Sequence, residues 1–143
     1  MPALAQKGSS LNLRTGIDML EISRLDGIQP AIKNRFLQRV YTPDELVDCQ
    51  GNSASLAGRF AAKEAVAKAL GCGIGPVSWL EIEILRLENG APSLKLHGKA
   101  NAMAQSLGLF TWSISISHTR ECALAIAVAT GDDPAAIDNR AGK

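Results

Sequence analysis

The sequence predicts an α+β fold, an antiparallel sheet packed against one long helix and shorter helices. Three observations predict it. Segments of period-two alternation occur near the start, in the middle and near the end of the chain. A long proline-free stretch, residues 53–70, separates the first of them from the rest. The later strands are joined by hairpins rather than by the repeated helical crossovers of a doubly wound sheet.

Taken in order, LNLRTGID alternates apolar and polar residues and predicts a first strand ending at Asp18. Residues 21–40 are helical in pattern, with interruptions near Gly27 and Pro30. Thr42-Pro43-Asp44-Glu45 is a helix start. Thr42 caps, Pro43 suits the first helical position, and Glu45 closes a capping box. Residues 53–70 are rich in Ala, Leu, Lys and Glu, and Gly71 follows as a stop. WLEIEILRLENGAPSLKLHG predicts a hairpin turning at Asn89-Gly90, and KANAMAQSLG a short helix stopped by Gly108. TWSISISH and ECALAIAVA predict two further strands joined around Thr119-Arg120.

At 143 residues the chain has room for one domain, placed here at 11–130. Residues 1–10 and 131–143 are small and polar and are expected to be disordered. Charge is balanced, 15 basic residues against 14 acidic, and 4% of residues are aromatic. Neither the basic field nor the stacking platforms of a nucleic-acid binder are present. Cys49, Cys72 and Cys122 have neither zinc-site nor redox-motif spacing and read as free thiols. With no signal-peptide pattern at the start and no apolar run of membrane length, the expectation is a cytoplasmic protein without a membrane partner.

Three groups of residues bear chemistry. In residues 58–68, Arg59 and Lys63 share one helical stripe, and Glu64 and Lys68 the next. The first stripe suits phosphates, and Glu64 suits a metal with Lys68 beside it. Ordinary solvated helix decoration has the same pattern. The small residues Gly58, Ala61, Ala62, Ala65 and Ala67 let another backbone or a ligand come close. Asp18, at its predicted strand end, is either a cap or a metal ligand. Two carboxylates completed by phosphates and waters suit Mg²⁺. In Ser113–His118, alternation sets Ile114 and Ile116 on one face and the serines on the other, with His118 before the turn. His97, also at a strand end, reads as structural.

Together these segments resemble the holo-acyl-carrier-protein synthases, which are 4′-phosphopantetheinyl transferases. Gly16-Ile17-Asp18, Arg59–Ala65 with Lys68, and Ser117-His118-Thr119 match the family's signature in order and spacing. Gly71-Cys72-Gly73-Ile74-Gly75 and the turn Asn89–Pro92 match as well. The resemblance implies that fold and an enzyme that moves the phosphopantetheine arm of coenzyme A onto a serine of an apo acyl carrier protein. It implies release of 3′,5′-ADP and a place in fatty acid or polyketide biosynthesis. Asp18 and Glu64 would hold Mg²⁺ and act with Lys68 as catalytic residues. Arg59, Lys63, Ser117, His118 and Thr119 would contact coenzyme A. Arg24, Arg35 and Arg39 would meet an acidic carrier protein, since residues 22–40 hold four basic side chains against Asp26 alone. The resemblance also implies a homotrimer with coenzyme A between subunits. Apolar residues on both faces of Ala123–Ala129 agree with association or with a central strand. A non-catalytic coenzyme A- or carrier-binding module explains the basic residues but leaves Asp18 and Glu64 without a purpose.

Overall fold

The computed structural model describes residues 11–132. The termini expected to be disordered lie outside the described residues, except Gly131 and Asp132, which extend the last strand. The order is β1 (Leu11–Glu21), α1 (Ser23–Asp26), α2 (Pro30–Val40), α3 (Pro43–Cys49) and α4 (Ser53–Leu70). A 3₁₀ turn (Trp79–Glu81), β2 (Ile82–Arg86), β3 (Pro92–Leu96), α5 (Gly98–Ser106), β4 (Leu109–His118) and β5 (Cys122–Asp132) follow. An antiparallel sheet of order β1-β5-β4 and the separate hairpin β2-β3 give the expected α+β architecture.

Local chemistry sets the element ends. Thr42 and Glu45 form the expected reciprocal cap on α3, an arrangement worth about 1 kcal/mol. The Asn52 side chain accepts the Ser55 N–H at 2.9 Å to start α4, and Gly71, at φ 79°, ends it. β1 does not end at Asp18. Met19 and Leu20 continue the alternation and pair with Leu124 and Ala123, so Asp18 sits within the strand and caps nothing.

The long helix lies across one face of the three-stranded sheet. The β5 residues facing it are all alanine (123, 125, 127 and 129) and all buried, as are Ala57, Ala61, Ala62 and Ala65 of α4. Small residues on both sides bring the helix close. At two places even a methyl group is too large. A β-carbon at residue 16 would overlap the Ala65 carbonyl, and one at residue 58 would stand 2.7 Å from Ile116 Cγ2.

The other face of the sheet has no element over it among the described residues. The pairs Ile17–Ile126, Met19–Leu124 and Thr15–Val128 line its β1–β5 half, with exposed Leu11 and Leu13 alongside. Ser113, Ser115 and Ser117 line its β4 half. Leu124 and Ile126 of β5 are exposed on this face, and Phe110 near the start of β4 is exposed as well. Ile114 and Ile116 of β4 turn toward α4, Ile114 into the core, and the serines face outward.

Candidate active site

Three signature residues meet at the β1 edge. Gly16, Asp18 and Leu20 share the β1 face that meets α4, and the close contact at Gly16 sets Asp18 level with Glu64 and Lys68. Lys68 Nζ lies 3.2 Å from Asp18 Oδ1 and donates to the Ile17 carbonyl at 2.8 Å. The Glu64 pKa is raised by partial burial and then by the Asp18 charge, with Lys68 opposing. A carboxylate whose charge is disfavoured by burial and by a second carboxylate invites a cation. Among the described residues no cluster of three or more His, Cys, Asp and Glu side chains forms a complete metal site. Two oxygen donors with the remaining positions left to water and phosphate fit Mg²⁺.

A second group gathers at the opposite sheet edge. Ser55, Gly58 and Arg59 of α4, Arg86 at the end of β2 and His118 at the end of β4 line a cleft of about 160 Å³. Arg59 is largely buried; its Nε donates to the Ile84 carbonyl at 3.1 Å and its guanidinium lies 3.9 Å from Asp48. Asp48 also accepts the Arg86 backbone N–H at 2.9 Å, so one carboxylate links the Arg59 guanidinium to the Arg86 main chain. Three side chains that carry or can carry positive charge therefore line one cleft beside the first turns of a helix, a setting for phosphate. Sequence reading missed Arg86. Its signal was its place at a strand end, three residues before Asn89-Gly90.

Lys63 is not a phosphate contact. Its side chain is 0% exposed. The ammonium donates to Glu45 Oε1 at 2.7 Å and to the carbonyls of Trp79 and Ile82 at 2.9 and 2.7 Å. Glu45 accepts the Ile84 N–H as well. A helical stripe gives side chains a common direction. It does not show that the hairpin covers the stripe at residue 63 and leaves it partly open at residue 59. Burial draws the Lys63 pKa down, and Glu45 opposes that.

Other expected contacts divide. Ser117 points to the open sheet face, away from the cleft that His118 lines. The Thr119 hydroxyl accepts the N–H groups of Glu121 and Cys122 and so holds the β4–β5 turn. Arg24, Arg35 and Arg39 are all exposed on α1 and α2. His97 pairs with Glu83 at 3.1 Å, the structural role expected of it.

The family model described as the 4′-phosphopantetheinyl transferase superfamily matches residues 14–127. The chain belongs to this family. Its curated relatives include the holo-[acyl-carrier-protein] synthase of Dehalococcoides mccartyi, 49% identical over 117 residues, covering 82% of this chain and 98% of the relative. Another, from Herpetosiphon aurantiacus, is 42% identical over 126 residues, covering 83% and 99%. Among solved structures, the Helicobacter pylori holo-[acyl-carrier-protein] synthase in complex with coenzyme A superposes with a TM-score of 0.73 at 37% identity, covering 80% of this chain and 98% of that one. The chain is thus a transferase of the holo-acyl-carrier-protein synthase type, and the resemblance read from its sequence holds. Family membership accounts for the separation of the two groups. Asp18 and Ile116 lie in one cross-strand row with Ala125 between them, which places the edges about 10 Å apart. A ligand with a pyrophosphate and a distant phosphate needs two such groups.

Proposed function

We propose that the chain transfers the 4′-phosphopantetheine of coenzyme A to a serine of an acidic apo acyl carrier protein, in the cytoplasm, as a homotrimer that uses Mg²⁺. The observation that carries this is the meeting of Asp18, Glu64 and Lys68 at one sheet edge. Binding of coenzyme A by the H. pylori relative, which shares the fold and 37% of its residues, supports the choice of substrate.

The serine oxygen attacks the β-phosphorus of the pyrophosphate. The bond to the α-phosphate oxygen breaks, 3′,5′-ADP leaves, and the serine proton is released. Such chemistry needs positioning and charge neutralisation. Asp18 and Glu64 would hold Mg²⁺, which when bound supplies positive charge at the pyrophosphate oxygens. Lys68, held beside Asp18 and half exposed, stabilises the charge of the leaving phosphate. Arg59, Arg86 and His118 hold the nucleotide's phosphate end. Arg24, Arg35 and Arg39 meet the carrier's carboxylates.

The open sheet face supports the trimer. A contiguous apolar surface on β1 and β5 is uncommon on a monomer. Copies packed through it would bring the metal-binding edge of one toward the cleft of the next. Three free cysteines agree with a reducing cytoplasm, and among the described residues no helix is long and apolar enough to cross a membrane.

The test mixes the protein with coenzyme A, Mg²⁺ and an apo acyl carrier protein. Release of 3′,5′-ADP and a matching gain in carrier mass are expected, and no gain with several acidic carriers overturns the reading. Light scattering should give three times the single-chain 15.1 kDa, and 15.1 kDa itself overturns the trimer.

A further inference from the structure

Among the described residues, strand β2 pairs with β3 along one edge only. Its other edge presents main-chain groups of Ile82, Ile84 and Arg86, and side chains from α3 and α4 take the place of a strand there. Lys63 Nζ donates to the Ile82 carbonyl at 2.7 Å, Glu45 accepts the Ile84 N–H at 3.0 Å, and Arg59 Nε donates to the Ile84 carbonyl at 3.1 Å. Asp48 accepts the Arg86 N–H at 2.9 Å and closes the row. Edge groups that would otherwise need water or another strand are thus satisfied. Lys63, Glu45 and Arg59 are buried, whereas the Asp48 side chain is 28% exposed. Asp48 also has less local reason to be acidic. It is the last residue but one of α3, where a helix presents its negative end. It stands behind two arginines of a cleft suited to phosphate, which a carboxylate repels.

We infer that Asp48 is a positioning residue for the nucleotide's phosphate end, setting the spacing of Arg59 and Arg86 across the cleft. Arg59 comes from α4 and Arg86 from the end of β2, and one carboxylate of a third element, α3, reaches both. The same bond holds the start of the turn that brings Gly90 and Pro92 to the cleft wall. Two cations already held at a fixed spacing bind a phosphate better than two that must be ordered as it arrives. Charge alone predicts the opposite sign: removing a carboxylate near a phosphate should tighten binding. The direction of the effect therefore separates position from charge. This inference rests on the reading of the cleft as the seat of that phosphate.

The test titrates coenzyme A and dephospho-coenzyme A, which lacks the phosphate distant from the pyrophosphate, into the parent and three variants by calorimetry. Asp48→Ala should raise the Kd for coenzyme A about tenfold and leave that for dephospho-coenzyme A nearly unchanged. Asp48→Asn, which keeps an oxygen for the Arg86 N–H, should recover most of the affinity. Asp48→Glu keeps the charge and displaces it by one methylene, so a severalfold loss confined to coenzyme A is expected there too. Unchanged or tighter coenzyme A binding by Asp48→Ala overturns the inference; if the parent still prefers coenzyme A to dephospho-coenzyme A, the cleft reading stands. A parent without that preference overturns both. Equal weakening for the two ligands makes Asp48 a prop for the fold alone and overturns the inference as well.

Discussion

The backbone of Gly16 rests on that of Ala65: a β-carbon at residue 16 would overlap the Ala65 carbonyl and stand 2.9 Å from the Ala69 nitrogen. This contact joins β1 to α4 two residues before Asp18 and one after Glu64. Gly16→Ala must push the strand and helix apart, at a cost of about 1–3 kcal/mol. Activity should fall further than the lost stability explains, because the two carboxylates separate. Thermal melts beside transfer rates check this, and parent-like activity in a destabilised variant would count against the link.

Asp18→Asn and Glu64→Gln keep shape and remove charge. Each should nearly abolish 3′,5′-ADP release at saturating Mg²⁺. If both residues act through one ion, as proposed, the double variant should be little worse than either single one, because such losses do not add. Titration of Mg²⁺ into the coenzyme A complex should show the same loss as weakened metal binding. Near-normal turnover in either single variant refutes the pair.

Lys63→Met strands a buried Glu45 carboxylate, for which about 3–5 kcal/mol of stability is expected to go. Adding Glu45→Leu should recover part of it, because the stranded carboxylate is then gone, while the Thr42 and Ile84 N–H groups lose their acceptor. Chemical denaturation of the three variants decides it. A stable Lys63→Met protein with only a raised coenzyme A KM would restore the discarded phosphate role.

Acid should weaken the hairpin region. The Glu81 pKa is lowered mainly by the Ser78 N–H, with further N–H donors at Lys99 and Ala100. For Glu83, burial raises the pKa, but the Thr42 hydroxyl at 2.5 Å and His97 outweigh it, and the net shift is downward. Groups held below their unfolded pKa contribute stability above that value and lose it as pH falls through the folded one. Stability should therefore be flat near neutrality and decline below about pH 4.5. Glu81→Gln and Glu83→Gln should each flatten that decline in melts from pH 6 to pH 3, and an unchanged slope in both would refute it.

Much of this was legible in the sequence because the signals were local. The Thr42–Glu45 cap, the Ser53–Leu70 helix and the Asn89-Gly90 turn each follow from residues a few positions apart. Asp18, Glu64 and Lys68 were legible through resemblance, and their meeting depends on β1 crossing α4, a contact spanning 50 residues of chain. What was not legible depended on what covers what. Lys63 and Arg59 obey the same spacing rule and are both buried, but Lys63 is enclosed by Glu45, Trp79 and Ile82, whereas Arg59 keeps an edge on the cleft. Ser117 and His118 are neighbours on opposite faces of the sheet. Arg86 joins the cleft only through the path of the hairpin.

The buried alanine row at 123, 125, 127 and 129 acts as a spacer between sheet and helix, and so for the proposed reaction centre. Its side chains set the distance between the plate that carries Asp18 and the rod that carries Glu64 and Lys68. Added bulk there would act as a shim and tilt the rod on its fulcrum at Gly16. The working end of the enzyme would go out of true while the chain stayed folded. The opposite side of the same plate has no such tolerance to keep with α4. Along one strand, then, alternate positions answer to different masters: one set to machining of the reaction centre, the other to whatever surface the protein presents to its neighbours.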